Sequence, residues 1–176
     1  MRFVAAGVYA TVLALGGPVT FTLTSPSFVG GTPIPVRHTC DGENLSPPLG
    51  WSGAPAGTRT FVLIDADPDV RKIGGFVHWV LYNVPGSVLD LPEGLPKKPH
   101  PGQVAGAAQG TNDFGKVGFD GSCPPPGAPH HYHFTLFALD AALPLEPGAS
   151  RDDVRKAMTG HVLGQAELIG LYARPR

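Results

Sequence analysis

Glycine and proline make up a quarter of this chain, 24 and 20 of its 176 residues, and no other feature constrains its fold as strongly. Inside a helix, proline costs about 3 kcal/mol and glycine about 1. At this density the breakers exclude a helical bundle or a coiled coil and point to short strands joined by structured turns. A disordered linker could carry as many, but this chain is 42% hydrophobic, enough for a core. Only 15% of its residues are charged and the formal net charge is −1, so no basic field is available to hold nucleic acid.

Between the breakers lie runs that read as strands. Residues 19–24 alternate apolar residues with threonine, as a strand with one wet face does. Residues 60–66 are β-branched and aromatic, and Pro68 stops them after Asp67. Residues 76–84 are apolar on both faces and closed by Pro85, which predicts a central strand buried on both sides. Residues 132–139 repeat that pattern, and residues 167–172 give a last short strand. Residues 25–55 are rich in Pro, Gly and Ser, with Trp51 as the large apolar anchor. Residues 85–129 show little periodicity; a loop of that length is functional or carries short elements of its own. A helix is predicted from Ser150, with Asp152 and Asp153 at its positive end. Val154, Ala157, Met158, His161 and Val162 form its apolar face, and Gly164 ends it. The expected product is one mostly-β domain over residues 18–176 with a late α-helix.

The amino terminus supports two readings. Met1-Arg2 followed by an apolar stretch at residues 3–15 suits a signal peptide over residues 1–17, and the alternative is a first strand. Export to a periplasmic or extracellular space is the expectation, with a cytoplasmic location as the alternative. An even cysteine count behind such a start fits a disulfide between Cys40 and Cys123, and neither cysteine belongs to a CxxC pair.

Several motifs bear on chemistry. Gly110 to Lys116 matches most of a phosphate-binding P-loop, but Val117 stands where Ser or Thr is needed for magnesium, and Gly118 and Gly121 follow where a helix should start. A Gly-rich turn is the better reading. Cys123 as a nucleophile is followed by Pro124 and Pro125, which have no N–H to stabilise an oxyanion. His131 and His133 face one way on a strand, with His130 and Tyr132 facing the other. That pair could grip a metal with Asp67 or Asp69, or could simply mark a solvated face. Because Asp67 and Asp69 flank Pro68 and the histidines divide between two faces, a closed metal site is not expected. His78 lies within an apolar strand, where an imidazole needs a partner or a pocket.

Taken together, Asp67-Pro-Asp69, His78-Trp79, Cys123-Pro-Pro-Pro-Gly127 and His130-His-Tyr132-His-Phe134 resemble the phosphatidylethanolamine-binding proteins, in their bacterial Raf-kinase-inhibitor-like branch. Residues 40–48 with Trp51, Asn112 to Gly115 and Phe137 to Asp140 extend the resemblance over residues 19–172. It implies an antiparallel β-sandwich with a small pocket for anionic or phosphorylated head groups. Asp67, Asp69, His78, His130 and Tyr132 would line that pocket, with Gly121, Cys123, Pro124 and Pro125 as a wall. Ser122 stands where many relatives have Pro, and Asp69 is followed here by Val70-Arg71-Lys72 rather than Ala-Pro. The function expected is non-catalytic binding of a small phosphorylated ligand, without metal or cofactor. Protonated His78 and His130 would hold the phosphate, and binding would weaken as pH rises. The alternatives are a kinase or protease inhibitor that docks on its target, and a metal-dependent enzyme built on the histidine strand.

Overall fold

The computed structural model describes residues 20–175. In chain order the strands are β1 (Thr22–Thr24), β2 (Leu49–Ser52), β3 (Thr60–Asp67), β4 (Phe76–Pro85), β5 (Asp90–Leu91), β6 (Ala108–Gln109), β7 (His130–Leu139) and β8 (Val162–Tyr172). An α-helix, α1 (Arg151–Ala157), precedes β8, and a 3-10 turn spans Val36–His38. The strands form two sheets, β1-β2-β5 and β6-β4-β3-β7-β8, and every pairing within them is antiparallel.

The doubly apolar runs are explained by two layers of core, one on each face of the large sheet. Phe61 and Leu63 of β3 point between the sheets, where they meet Leu23, Trp51, Trp79, Phe134 and Leu136. Their neighbours Val62 and Ile64 point the opposite way, onto Val80, Tyr82, Leu139 and the helix residue Val154. β4 lies between β6 and β3, as its two buried faces predict.

The predicted helix is correct at its start and too long at its end. Ser150 caps it, and Asp153 returns a bond to the Ser150 N–H, a capping box. Helical geometry stops at Ala157, and Gly160 takes a φ of 85° in the turn that follows. His161 bonds Asp140 at 2.8 Å, and Val162 opens β8 instead of extending the helix. Gly164 is therefore a strand residue, and β8 has 11 residues, well beyond the expected 167–172. The long 85–129 segment carries β5 and β6. Residues 110–117 form a turn: the Asn112 Oδ1 accepts from the N–H groups of Phe114 and Lys116, and Thr111 bridges Val117. Among the described residues no helix is long and apolar enough to cross a membrane. The expected signal peptide lies outside them.

Candidate functional site

The inner face of β3 changes character along its length, from Phe61 and Leu63 to Asp65 and Asp67. At the strand end Asp67 is 1% exposed. Its Oδ1 accepts the Asp69 N–H at 2.9 Å, the local turn that follows from Pro68, and its Oδ2 accepts from His130 Nδ1 at 2.7 Å. Asp69 faces outward, and one of its oxygens accepts both the N–H and the Nδ1–H of His131, at 2.7 and 2.8 Å. Those bonds, the side-chain one foremost, hold the Asp69 carboxyl below the usual range. Strand alternation on β7 thus brings His130 to Asp67 and His131 to Asp69 on opposite faces.

β4 supplies His78, which is 2% exposed. Its Nδ1 lies 2.8 Å from the Asp120 carbonyl, which can only accept, so Nδ1 carries the proton and the neutral ring keeps a lone pair on Nε2. The ring stands edge-on to Phe114 and Tyr132, with centroids 5.4 and 5.2 Å away, and is tilted against Phe76. Burial pushes the His78 pKa below its ordinary value, despite the pull of the Asp120 carbonyl and the Asp67 charge. Burial thus disfavours the charged imidazole expected at His78, and on the uncharged ring Nε2 is available as an acceptor.

Asp120 is itself anchored: Asn44 and Asn112 each donate to its carboxyl at 3.0 Å, with Lys97 and Lys116 at 3.4 and 3.6 Å. The adjacent Gly121 N–H donates to Asn44 Oδ1 at 2.7 Å. A Cβ on Gly121 would lie 2.4 Å from the His38 carbonyl. This glycine therefore admits the 38–39 backbone and not a ligand, and its N–H is already used. Next to it Cys40 and Cys123 are joined in a disulfide, and the Cys40 N–H donates to the Ser122 carbonyl at 3.1 Å. The bond ties the Cys123–Pro125 wall to the loop before β2 and leaves no thiol for catalysis.

These pieces enclose a cavity of about 290 Å³ lined by Asp67, Val70, Phe76, His78, Phe114, Cys123, Pro124 and Pro125. The ammonium groups of Lys72 and Lys116 stand over the Phe76 and Phe114 rings, 5.6 and 5.9 Å from their centroids. Lys72 also pairs with Asp113 at 2.6 Å. The cavity is thus acidic and aromatic inside, with cations over two of its aromatic walls.

With this geometry in view, residues 24–173 match the family described as phosphatidylethanolamine-binding protein. The chain belongs to that family. A UPF0098 protein from Aquifex aeolicus is 48% identical over 165 residues, which cover 93% of this chain and 94% of the relative. Another UPF0098 protein, from Methanothermobacter thermautotrophicus, is 51% identical over 143 residues, 80% of this chain and 91% of its own. The crystal structure of Escherichia coli YbcL, described as a new member of the mammalian PEBP family, aligns with a TM-score of 0.82 at 35% identity. That alignment covers 88% of this chain and 98% of YbcL.

Five of the nine expected site residues line the cavity: Asp67, His78, Cys123, Pro124 and Pro125. Asp69 and His130 gather beside Asp67 instead. Tyr132 is fully buried next to the Asp67 carboxyl and the Cys123 backbone, and its hydroxyl makes no hydrogen bond. Burial and the nearby Asp67 and Asp65 charges push its pKa up. Gly121 acts from behind the wall, as described. His131 and His133 do share a face, but they bond Asp69 and Glu167 respectively and do not converge with each other. Asp67, Asp69 and His130 offer donor atoms within 4.8 Å of one another.

Sequence reasoning missed Val70, Phe76 and Phe114 as cavity walls, and the aromatic residues two before His78 and two after Asn112 were the available signal. It also missed Asp65, which is 1% exposed with both oxygens unpartnered. Burial, then the Asp67 charge, holds the Asp65 carboxyl well above the ordinary range.

Proposed function

We propose that the cavity binds a small zwitterionic phosphate ester of the phosphoethanolamine kind and performs no catalysis on it. The observation that carries this reading is the pairing of Asp67 with a neutral His78 inside an aromatic cavity that has lysines over two of its rings. Two acceptors and two phenylalanine rings favour an ammonium or hydroxyl group inside, by charge, hydrogen bond and cation–π attraction. Lys72 and Lys116 favour a phosphoryl group at the other end. A volume of about 290 Å³ suits a molecule of that size and is too small for a diacyl lipid. In support of binding without catalysis, the cavity lining contains no hydroxyl side chain and its one sulfur is in the disulfide. That disulfide supports residence in an oxidising compartment.

Titration calorimetry with phosphoethanolamine tests the proposal. Wild type should bind, and Asp67→Asn should lose about tenfold or more, the consequence of one charge-assisted contact. Equal affinity in the two proteins would place the ligand elsewhere.

A further inference from the structure

We propose that the face formed by residues 71–75 and α1 docks on the surface of a bilayer that carries anionic lipids. The loop and the helix hold Arg71, Lys72, Arg151, Arg155 and Lys156, five of the 13 lysines and arginines in a chain whose net charge is −1. Between them runs a cleft of about 590 Å³, lined in part by Lys72, Ile73, Arg151 and Arg155. It shares no lining residue with the ligand cavity. Three carboxylates stand on this face and each is engaged: Asp113 by Lys72 at 2.6 Å, Asp152 by Arg151 at 3.0 Å, and Asp153 by the Ser150 cap. Among the described residues Arg71, Arg155 and Lys156 are in no ion pair, so the face keeps a positive excess.

An apolar tip stands among these charges. Ile73 is 98% exposed, more than any other large apolar residue described. One exposed isoleucine is ordinary on a protein surface, but this one directly follows Arg71 and Lys72 and forms part of the cleft lining. The loop that carries it is braced. The Lys72 N–H donates to the Val70 carbonyl at 2.7 Å and the Gly75 N–H to the Lys72 carbonyl at 2.9 Å, while Arg151 Nη1 donates to the Gly74 carbonyl. Gly74 and Gly75 take φ of 77° and 75° and turn the chain into β4. Ile73 is thus held out with little ordering left to do on contact. A projecting apolar side chain among cations enters the acyl boundary while the cations meet lipid phosphates. An acidic protein segment would satisfy the cations but leave Ile73 needing a pocket of its own. Val70 and Phe76 flank the loop and line the ligand cavity, so docking sets the cavity mouth against the head-group layer.

The test is co-sedimentation with vesicles of equal parts phosphatidylcholine and phosphatidylglycerol, beside vesicles of phosphatidylcholine alone, with no ethanolamine lipid in either. Wild type should bind the anionic vesicles, leave them as salt is raised, and ignore the neutral ones. Ile73→Ser should weaken binding about tenfold, the loss of one buried aliphatic side chain. Arg155→Ala should weaken it about fivefold, the share of one cation at a charged surface. Leu89→Ser and Lys98→Ala, an exposed apolar residue and an exposed cation outside this face, should change nothing. Neither Ile73 nor Arg155 lines the ligand cavity, so both variants should keep wild-type calorimetry with phosphoethanolamine, which separates a failure of docking from a failure of the ligand reading. Wild-type vesicle binding by Ile73→Ser overturns the proposal. So does a wild type that does not bind anionic vesicles, and its binding to polyglutamate instead would give the face to an acidic protein segment.

Discussion

The two faces of the large sheet are held by different means. Under α1 the outer face is closed mainly by apolar packing, with Val62, Ile64, Val80, Leu139 and Val154 all buried. At the far end of the inner face, buried positions hold Asp65, Asp67, His78 and Tyr132 instead. There the structure depends on hydrogen bonds, the Asp120 network and a disulfide, and three side-chain oxygens, two on Asp65 and one on Tyr132, have no partner. The difference marks where apolar packing gives way to buried polar groups, each of which costs about 1–3 kcal/mol when unpaired.

The sharpest break in that comparison is to remove the cross-link. Cys40→Ser opens an 83-residue separation whose closure contributes about 4.5 kcal/mol in the chain-entropy model. Chemical denaturation should show a loss of that order, and the amide of residue 40, which donates to the Ser122 carbonyl beside the cavity wall, should lose hydrogen-exchange protection before the outer face does. On the packed side, Leu139→Ala should cost about 3 kcal/mol, the usual result of a cavity at a fully buried leucine. The opposite sign is expected at the polar end. Asp65→Leu replaces an unpartnered buried carboxyl with an apolar group of similar shape, and should stabilise the protein by about 2 kcal/mol at neutral pH.

The smallest effect concerns Asp120. Burial pushes its carboxyl upward, but hydrogen bonds from Asn44 and Asn112 and the charges of Lys97 and Lys116 outweigh that and hold it below the ordinary value. A depressed carboxyl contributes stability that is fully present above its unfolded pKa of about 3.9 and is lost as pH falls through the lower folded value. Asp120→Asn should therefore cost about 1.5 kcal/mol at pH 7 and flatten the acid limb of the stability curve below about pH 4. An unchanged acid limb would show that the network does not depend on the charge.

How much of this was legible in the sequence follows the same division. The large sheet could be read because β3, β4 and β7 are long and apolar on both faces. The first half of β8 was hidden, since Gly164 and Gln165 give no apolar signal and Val162 falls at helical spacing from Met158. Of the small sheet, β1 was read within residues 19–24, whereas β2 and β5 were lost among turn residues with only Trp51 marking β2. At the site, the residues carrying charge or sulfur were recognisable as a set, including the disulfide. Their roles were less so. Whether Gly121 faces a ligand or the His38 carbonyl, and whether His78 is charged or neutral, depends on packing between segments more than 40 residues apart.

The central claim, that the polar end of the inner face is given over to a ligand held by Asp67, is tested most directly by ligand-induced thermal shift. Phosphoethanolamine at a hundredfold excess over its Kd should stabilise wild type by about 2.7 kcal/mol and raise its melting temperature accordingly. The same concentration should leave Asp67→Asn almost unmoved. Equal shifts in the two proteins, or none in wild type, would contradict the account.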